Sequence, residues 1–178
     1  MSVEVPVLET ERLLLRGHNL DDFPYLSEMW ADPNVTRFIR EKPFTREESW
    51  ARLLRYRGHW SLLGYGYWAL IEKSIGNFVG ESGFGDFHRD IEPSLEGTPE
   101  IGWVLACNAH GKGYATEAVR AIVAWGDAHF GAKPTACIIA PENLLSIRVA
   151  EKNGYREIQH TTYHGNPTIM FQREGSKA

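Results

Sequence analysis

A glycine turn between a strand-like run and a helix-like run constrains this chain more than any other stretch. It reads Asn108-Ala109-His110-Gly111-Lys112-Gly113-Tyr114-Ala115-Thr116-Glu117-Ala118. Ile101 to Cys107 before it is apolar, and Tyr114 to about Phe130 after it has helical character. The first N–H groups of a helix have no internal partners, and the helix dipole favours negative charge there, so a phosphate suits the place. Gly111 and Gly113 remove side chains that would block close approach to the backbone. Lys112 adds a positive charge, and Thr116 offers a hydroxyl. A Walker-type nucleotide loop needs Lys and then Ser or Thr after its second glycine. Here Gly113 is followed by Tyr114 and Ala115, which excludes that reading. A dinucleotide fingerprint needs a third spaced glycine, which is missing. Taken alone, the stretch is either a phosphate cradle or an ordinary glycine-rich connection.

The rest of the chain narrows the class. At 178 residues it is expected to form a single domain over 1–178, with a loose C-terminal tail at 172–178. The 19 basic and 23 acidic side chains give a formal charge of −4, which gives no support to a nucleic-acid surface. The first residues, Met1-Ser2-Val3-Glu4-Val5, lack the basic and apolar regions of a signal peptide. No apolar run approaches the ~20 residues of a membrane span. Cys107 and Cys137 form neither a disulfide framework nor a zinc spacing, so no metal is expected and a reducing cytoplasm is the expected home.

Leu8 to Arg16 reads as one strand. Asn19 can cap a helix running to about Ala31, with Pro24 near its first turn. Thr45 and Glu48 have capping-box spacing, and Trp50, Leu53 and Leu54 then form an apolar, core-facing stripe. Tyr65 to Lys73 and Asn77 to Phe87 read as a hairpin. Gly80, Gly83 and Gly85 are many for one strand, and suggest a bulge or the close approach of another group. His88 to Pro99 is an acidic loop. Glu100 to Leu105 and Thr135 to Ala140 are strands. Ala115, Ala118, Val119 and Ile122 share one helix face. Asn143 opens a second helix that Asn153-Gly154 closes. Tyr155 to Tyr163 and Thr168 to Arg173 read as a final antiparallel pair around Gly165-Asn166. This mixed order predicts an α/β (mixed α+β) architecture with a partly antiparallel sheet and helices on both faces.

Some thirty residues after the glycine turn comes Pro141-Glu142-Asn143-Leu144-Leu145-Ser146-Ile147-Arg148-Val149-Ala150-Glu151-Lys152-Asn153-Gly154-Tyr155. Together the two segments resemble the GNAT acetyltransferases, which bind acetyl-CoA. The family's loop pattern is Gln/Arg-x-x-Gly-x-Gly/Ala, and here it reads Asn108-x-x-Gly111-x-Gly113. With Leu8-x-Thr10-x-Arg12-Leu13-x-Leu15-Arg16 near the N-terminus, the chain resembles the branch that acetylates ribosomal-protein N-termini. The resemblance spans nearly the whole chain. It implies a GNAT-like, mostly antiparallel central sheet with two splayed central strands that admit the pantetheine arm.

Acetyl transfer from a thioester to an amine needs a neutral amine, a stabilised carbonyl oxygen, a departing thiolate and aligned reactants. By resemblance, Trp103, Val104 and Leu105 contact pantetheine. His110, Gly111, Lys112, Gly113, Tyr114 and Ala115 hold the pyrophosphate. Asn143 and Ser146 lie one turn apart on a helix. Read from the residues alone they are a cap and a solvated position; the resemblance makes Asn143 a CoA contact. Ser146 then becomes the donor to the leaving sulfur, or a group that only solvates the thiolate. Many relatives use a tyrosine one turn later, where this chain has Ala150. Glu100 and Glu81 are the candidate general bases, with His88 a third, and each also reads as a strand-edge residue. A base is dispensable for an α-amino group, roughly 10–15% of which is neutral at pH 7. The expected reaction is acetyl transfer from acetyl-CoA to a primary amine, on a protein N-terminus or a cationic small molecule, by a monomer or homodimer. A non-catalytic CoA-binding module is the alternative. Asp90, Glu92, Glu96 and Glu100, with Arg89 the only nearby cation, suggest an acidic rim that attracts cationic acceptors, or else a solvated loop.

Overall fold

Eight strands form one sheet among residues 4–176, the residues that the computed structural model describes. The strands are β1 (Leu8–Glu9), β2 (Leu13–Gly17), β3 (Tyr67–Glu72), β4 (Asn77–Gly85), β5 (Glu100–Leu105), β6 (Thr135–Ile139), β7 (Arg156–Tyr163) and β8 (Asn166–Arg173), ordered β1-β2-β3-β4-β5-β6-β8-β7. Every neighbouring pair is antiparallel except β5 with β6. The helices are α1 (Phe23–Ala31), the short α2 (Pro33–Thr36), α3 (Arg46–Leu63), α4 (Tyr114–Phe130) and α5 (Leu144–Lys152).

The two faces of the sheet carry separate apolar clusters. Leu13, Leu15, Trp68, Leu70, Phe84, Ile101, Cys137 and Ile139 pack with Ala118, Val119 and Ile122 of α4 and Ala150 of α5. On the other face, Tyr67 packs with Leu26, Met29 and Trp30 of α1 and Leu53 and Tyr56 of α3. Alternation along each strand sends one residue to each cluster in turn, which is the period-two rule for a sheet buried on both faces.

The parallel junction positions the site. β5 and β6 share only the pair Glu100↔Ala136, supported by Ala136 N–H donating to the Pro99 carbonyl at 3.1 Å. Beyond it the strands part. β5 stays on β4, from Gly85↔Glu100 to Gly80↔Leu105, while β6 stays on β8, from Thr135↔Arg173 to Ile139↔Ile169. The far edge of β5 is therefore left unpaired in the middle of the sheet, and Gly102, Trp103 and Val104 remain half-exposed there. An unpaired edge offers a row of N–H and C=O groups to another extended chain. This is the expected splay of two central strands.

Several local expectations need correction. The single strand Leu8 to Arg16 is two, β1 and β2, joined by a tight turn in which Thr10 N–H donates to the Leu13 carbonyl at 2.9 Å. The turn contains neither glycine nor proline, so its sequence carries no punctuation. On α3 the core face is Ser49, Leu53, Tyr56 and Trp60, whereas Trp50 and Leu54 are 40% and 50% exposed. Trp50 instead meets the edge of Phe23, with ring centroids 5.0 Å apart. Asn19 caps a 3-10 turn, Leu20–Asp22, that runs into α1. The region 172–178 is not a loose tail where it is described: Gln172 and Arg173 belong to β8, Arg173 grips Asp127 at 2.6 and 2.8 Å, and Ser176 N–H donates to the same carboxylate. Lys177 and Ala178 lie outside the described residues, as do Met1, Ser2 and Val3 of the leader reading.

The last hairpin turns through His164 and Gly165 at φ 49° and 78°. Two positive-φ residues between paired Tyr163 and Asn166 make the turn whose twist matches the strands.

Candidate active site

The glycine turn sits at the mouth of the gap. After β5, a 3-10 turn at Cys107–Ala109 leads to Gly111 and Gly113, at φ 74° and 81°, and Gly113 is the N-cap of α4. No side chain caps the helix. The N–H groups of Gly111, Lys112, Gly113, Tyr114, Ala115 and Thr116 make no hydrogen bond to another protein group among the described residues. A Cβ on Gly111 would meet nothing within 4 Å, and one on Gly113 only the Arg12 guanidinium at 3.5 Å. The cradle is thus open, lined with donors and cleared by its glycines, which fits a pyrophosphate. His110 turns back on the loop, with Nε2 2.9 Å from the Leu105 carbonyl oxygen.

The N-terminal motif braces this cradle. Arg12 Nε donates to Glu117 Oε2 at 2.7 Å, its backbone N–H to Oε1 at 2.9 Å, and its Nη1 to the Lys112 carbonyl at 2.9 Å. Thr10 Oγ1 donates to Glu117 Oε1 at 2.6 Å. The Arg12 guanidinium also lies over the Tyr114 ring, 4.6 Å from its centroid. Burial works against the Glu117 charge, but the bonds from Thr10 and Arg12 outweigh it and hold the carboxyl below its usual range. Thr10, Arg12 and Glu117 therefore form one device that fixes the first turn of α4.

Trp103, Val104 and Leu105 lie on β5, the strand whose far edge borders the gap. Asn143 caps α5, its side-chain oxygen accepting from the Ser146 N–H at 3.2 Å. The Ser146 hydroxyl makes no hydrogen bond among the described residues. Where a second donor would stand one turn on, Ala150 is fully buried.

Both candidate carboxylates are engaged. Glu81 is fully buried between α1 and α3. Its Oε1 accepts from Trp30 Nε1 at 2.9 Å and from the Tyr56 hydroxyl, and its Oε2 faces His18 Nε2 at 3.3 Å. Burial, and after it the Glu81 charge, push the Tyr56 phenol well up, so it stays protonated and donates. The Arg52 guanidinium closes the cluster, 3.8 Å from the Trp30 ring centroid and 3.3 Å from the Tyr56 hydroxyl. Glu100 receives a two-pronged bond from Arg89, at 2.7 and 2.8 Å. That guanidinium also donates to the Tyr163 hydroxyl at 3.1 Å and lies over the Phe87 and Tyr163 rings. Both oxygens of Glu100 are taken by Arg89, whereas Glu81 is held through Oε1 and its Oε2 accepts no hydrogen bond among the described residues.

The acidic loop is less uniform than its sequence suggests. Glu100 is neutralised by Arg89, and His88 Nδ1 lies 3.3 Å from Glu96. Asp90 and Glu92 stay exposed, and the Glu92 carbonyl accepts from Thr161 Oγ1 at 2.6 Å, which ties the loop to β7.

Tyr56, Tyr67, Trp30, Arg52 and Tyr163 were not singled out by their sequence, because an aromatic in an apolar run reads as core. The crowd of glycines in β4 was the signal. The β3–β4 register shifts at Leu70/Ile71, opposite Gly80, and Gly83 faces the Tyr67 backbone, where a Cβ would lie 2.4 Å from its Cα. Both the bulge and the close approach are present.

Among the described residues, no cluster of three His, Cys, Asp or Glu could hold a metal, and no helix is long and apolar enough to cross a membrane. A surface groove of about 320 Å³ lies beside the cradle, lined by Tyr25, Asn77, Phe78, Val79, Asn108 and Lys112.

The acetyltransferase (GNAT) domain family model matches residues 12–156. An uncharacterized N-acetyltransferase, p20, of Bacillus licheniformis is 30% identical over 151 residues, 84% of this chain and 82% of its own. A solved structure described as a GNAT-family acetyltransferase from Bordetella pertussis overlays with a TM-score of 0.83 at 28% identity, covering 95% of this chain and 99% of that one. RimL, a ribosomal L7/L12 alpha-N-protein acetyltransferase solved in complex with coenzyme A, shares the fold at a TM-score of 0.78 and 13% identity, over 97% of this chain and 100% of its own.

Proposed function

The chain belongs to the GNAT acetyltransferase family, and on that premise we propose that it transfers the acetyl group of acetyl-CoA to a primary amine by direct attack in a ternary complex. The observation that carries this reading is the parting of β5 from β6 after Glu100↔Ala136, beside the uncapped start of α4. Acetyl-CoA supplies an activated acyl group on a thiol that leaves readily.

The chain's own part is to bind and align. Gly111 to Ala115 hold the pyrophosphate, with Lys112 adding charge and His110 bracing the loop. The free edge of β5 at Trp103, Val104 and Leu105 pairs with the amide-containing pantetheine arm. Asn143 and Ser146 border the other side of the gap. Neither Glu81 nor Glu100 needs to act as a free base, since an amine of pKa ~7.7–8.0 loses its proton to water often enough at neutral pH. The exposed Asp90 and Glu92 of the loop before β5 instead set a negative rim on the acceptor side, which favours a cationic amine such as a protein N-terminus.

Two-substrate kinetics over a panel of neutral and cationic primary amines tests the reading. Thiol release should follow intersecting double-reciprocal lines, and each product should carry one acetyl group. Parallel lines together with an acetylated enzyme would contradict direct attack. Thiol release unaffected by any amine would contradict the amine acceptor.

Ser146 faces the departing sulfur in this reading. Ser146→Ala should lower kcat about threefold to tenfold, the worth of one neutral hydrogen bond, with the acetyl-CoA Kd little changed. Loss of cofactor affinity with intact turnover at saturation would instead place Ser146 among the binding residues.

A further inference from the structure

A buried tyrosine lies across the sheet towards the gap. Tyr67 on β3 stands opposite Gly83 on β4, and Gly83 stands opposite Gly102 on β5. Two glycines in one row leave a trough on the α1/α3 face, and the Tyr67 ring fills it. The ring is 7% exposed and stacks flat on Tyr56, with centroids 4.6 Å apart and planes 4° from parallel. Its hydroxyl reaches as far as β5, where a Cβ on Gly102 would lie only 2.1 Å from it.

That hydroxyl is unlike the other buried polar groups of this face. The Tyr56 hydroxyl and the Trp30 Nε1 are spent on Glu81. The Tyr67 hydroxyl makes no hydrogen bond among the described residues, and it is not one of the sealed-off polar atoms. It sits over Gly102 at the half-exposed middle of β5, with Glu81 and Glu100 flanking the Gly83–Gly102 pair two residues along β4 and β5. A phenol beside two carboxylates stays protonated: burial first, and then the Glu100 charge, hold it well above its ordinary value. It is therefore no base. Its oxygen retains lone pairs and can accept from an N–H donor.

We propose that the Tyr67 hydroxyl accepts a hydrogen bond from the acceptor amine and aims the nitrogen at the acetyl carbon, which makes Tyr67 a catalytic residue of the acceptor side. This rests on the amine-acceptor reading above. The C–N bond forms as the C–S bond breaks, the electron pair leaves with the thiolate, and the surplus proton of the amine passes to solvent. Tyr67 keeps its own proton throughout. Alignment of this kind is sensitive to displacements of an ångström.

The test is a double-mutant cycle on an amine that the wild type acetylates. Tyr67→Phe removes the hydroxyl and keeps the ring stacked on Tyr56. It should lower kcat/KM for the amine about tenfold or more, with the acetyl-CoA Kd within about twofold and the melting temperature held. Gly102→Ala should cause a comparable loss, because its Cβ displaces the hydroxyl. In the Tyr67→Phe background the alanine should add little, since the next nearest ring atom is 3.3 Å from that Cβ. Wild-type kinetics in Tyr67→Phe would overturn the inference, as would losses that add in full. If the wild type acetylates no amine, the amine reading itself fails and this inference falls with it; wild-type turnover unaltered by Tyr67→Phe removes this inference alone.

Discussion

Gly113→Val is expected to weaken acetyl-CoA binding at least about tenfold, through the backbone and the side chain together. Gly113 sits at φ 81°, a conformation that a β-branched residue adopts only under strain of about 1–3 kcal/mol. The valine would also project into the open side of the cradle, where only Arg12 approaches a Cβ. It would thus stand between a phosphate and the N–H groups of Tyr114 and Ala115. Gly113→Asn separates the two effects, because asparagine tolerates a positive φ but still occupies space. Both variants should lose affinity, and the asparagine variant should melt closer to the wild type. Unchanged affinity in a folded Gly113→Val, measured by calorimetric titration, would remove the pyrophosphate from this turn.

Glu81→Ala is expected to cost about 3–5 kcal/mol of stability, because it strips the shared partner from a buried cluster. Trp30 Nε1 and the Tyr56 hydroxyl would lose their acceptor, and His18 and Arg52 their nearest negative charge. For a chain of this size that lowers the melting temperature by roughly 10 °C. Glu81→Gln should cost markedly less, since its amide oxygen still accepts from Trp30 and Tyr56. Denaturant unfolding with activity measured in parallel decides between structure and chemistry. A large stability loss with residual turnover makes Glu81 the keystone of the α1/α3 face. Full stability with abolished turnover would make it the general base.

The order of elements and the glycine turn were legible because each rests on local chemistry, whereas the splay came only with the family resemblance. Gly111 and Gly113 mark a left-handed turn, Asn143 marks a helix start, and period-two alternation marks the strands. The partners of the carboxylates were not legible. Glu81 meets Trp30 and Tyr56 from helices 51 and 25 residues away in sequence, and Glu117 meets Thr10 from 107 residues away. Such pairings depend on how helices settle on a sheet, which no window of sequence contains. The stripe on α3 failed for the same reason: Trp50 and Leu54 have helical spacing, but the sheet takes the face through Leu53 and Tyr56, where Tyr67 offers a flat ring. The glycines of β4 show the intermediate case. Their number announced that something approaches closely, and the identity of Tyr67 required the register of three strands.

One placement underlies the whole reading: pantetheine along the free edge of β5 and pyrophosphate on the start of α4. Hydrogen–deuterium exchange with and without acetyl-CoA tests it most directly, because unpaired N–H groups exchange fast until a ligand takes them. Saturating acetyl-CoA should slow exchange in the segments 101–105 and 111–116, with a smaller effect around 143–146. Protection confined to the groove at Tyr25, Asn77 and Phe78, with 101–105 and 111–116 unchanged, would contradict the account.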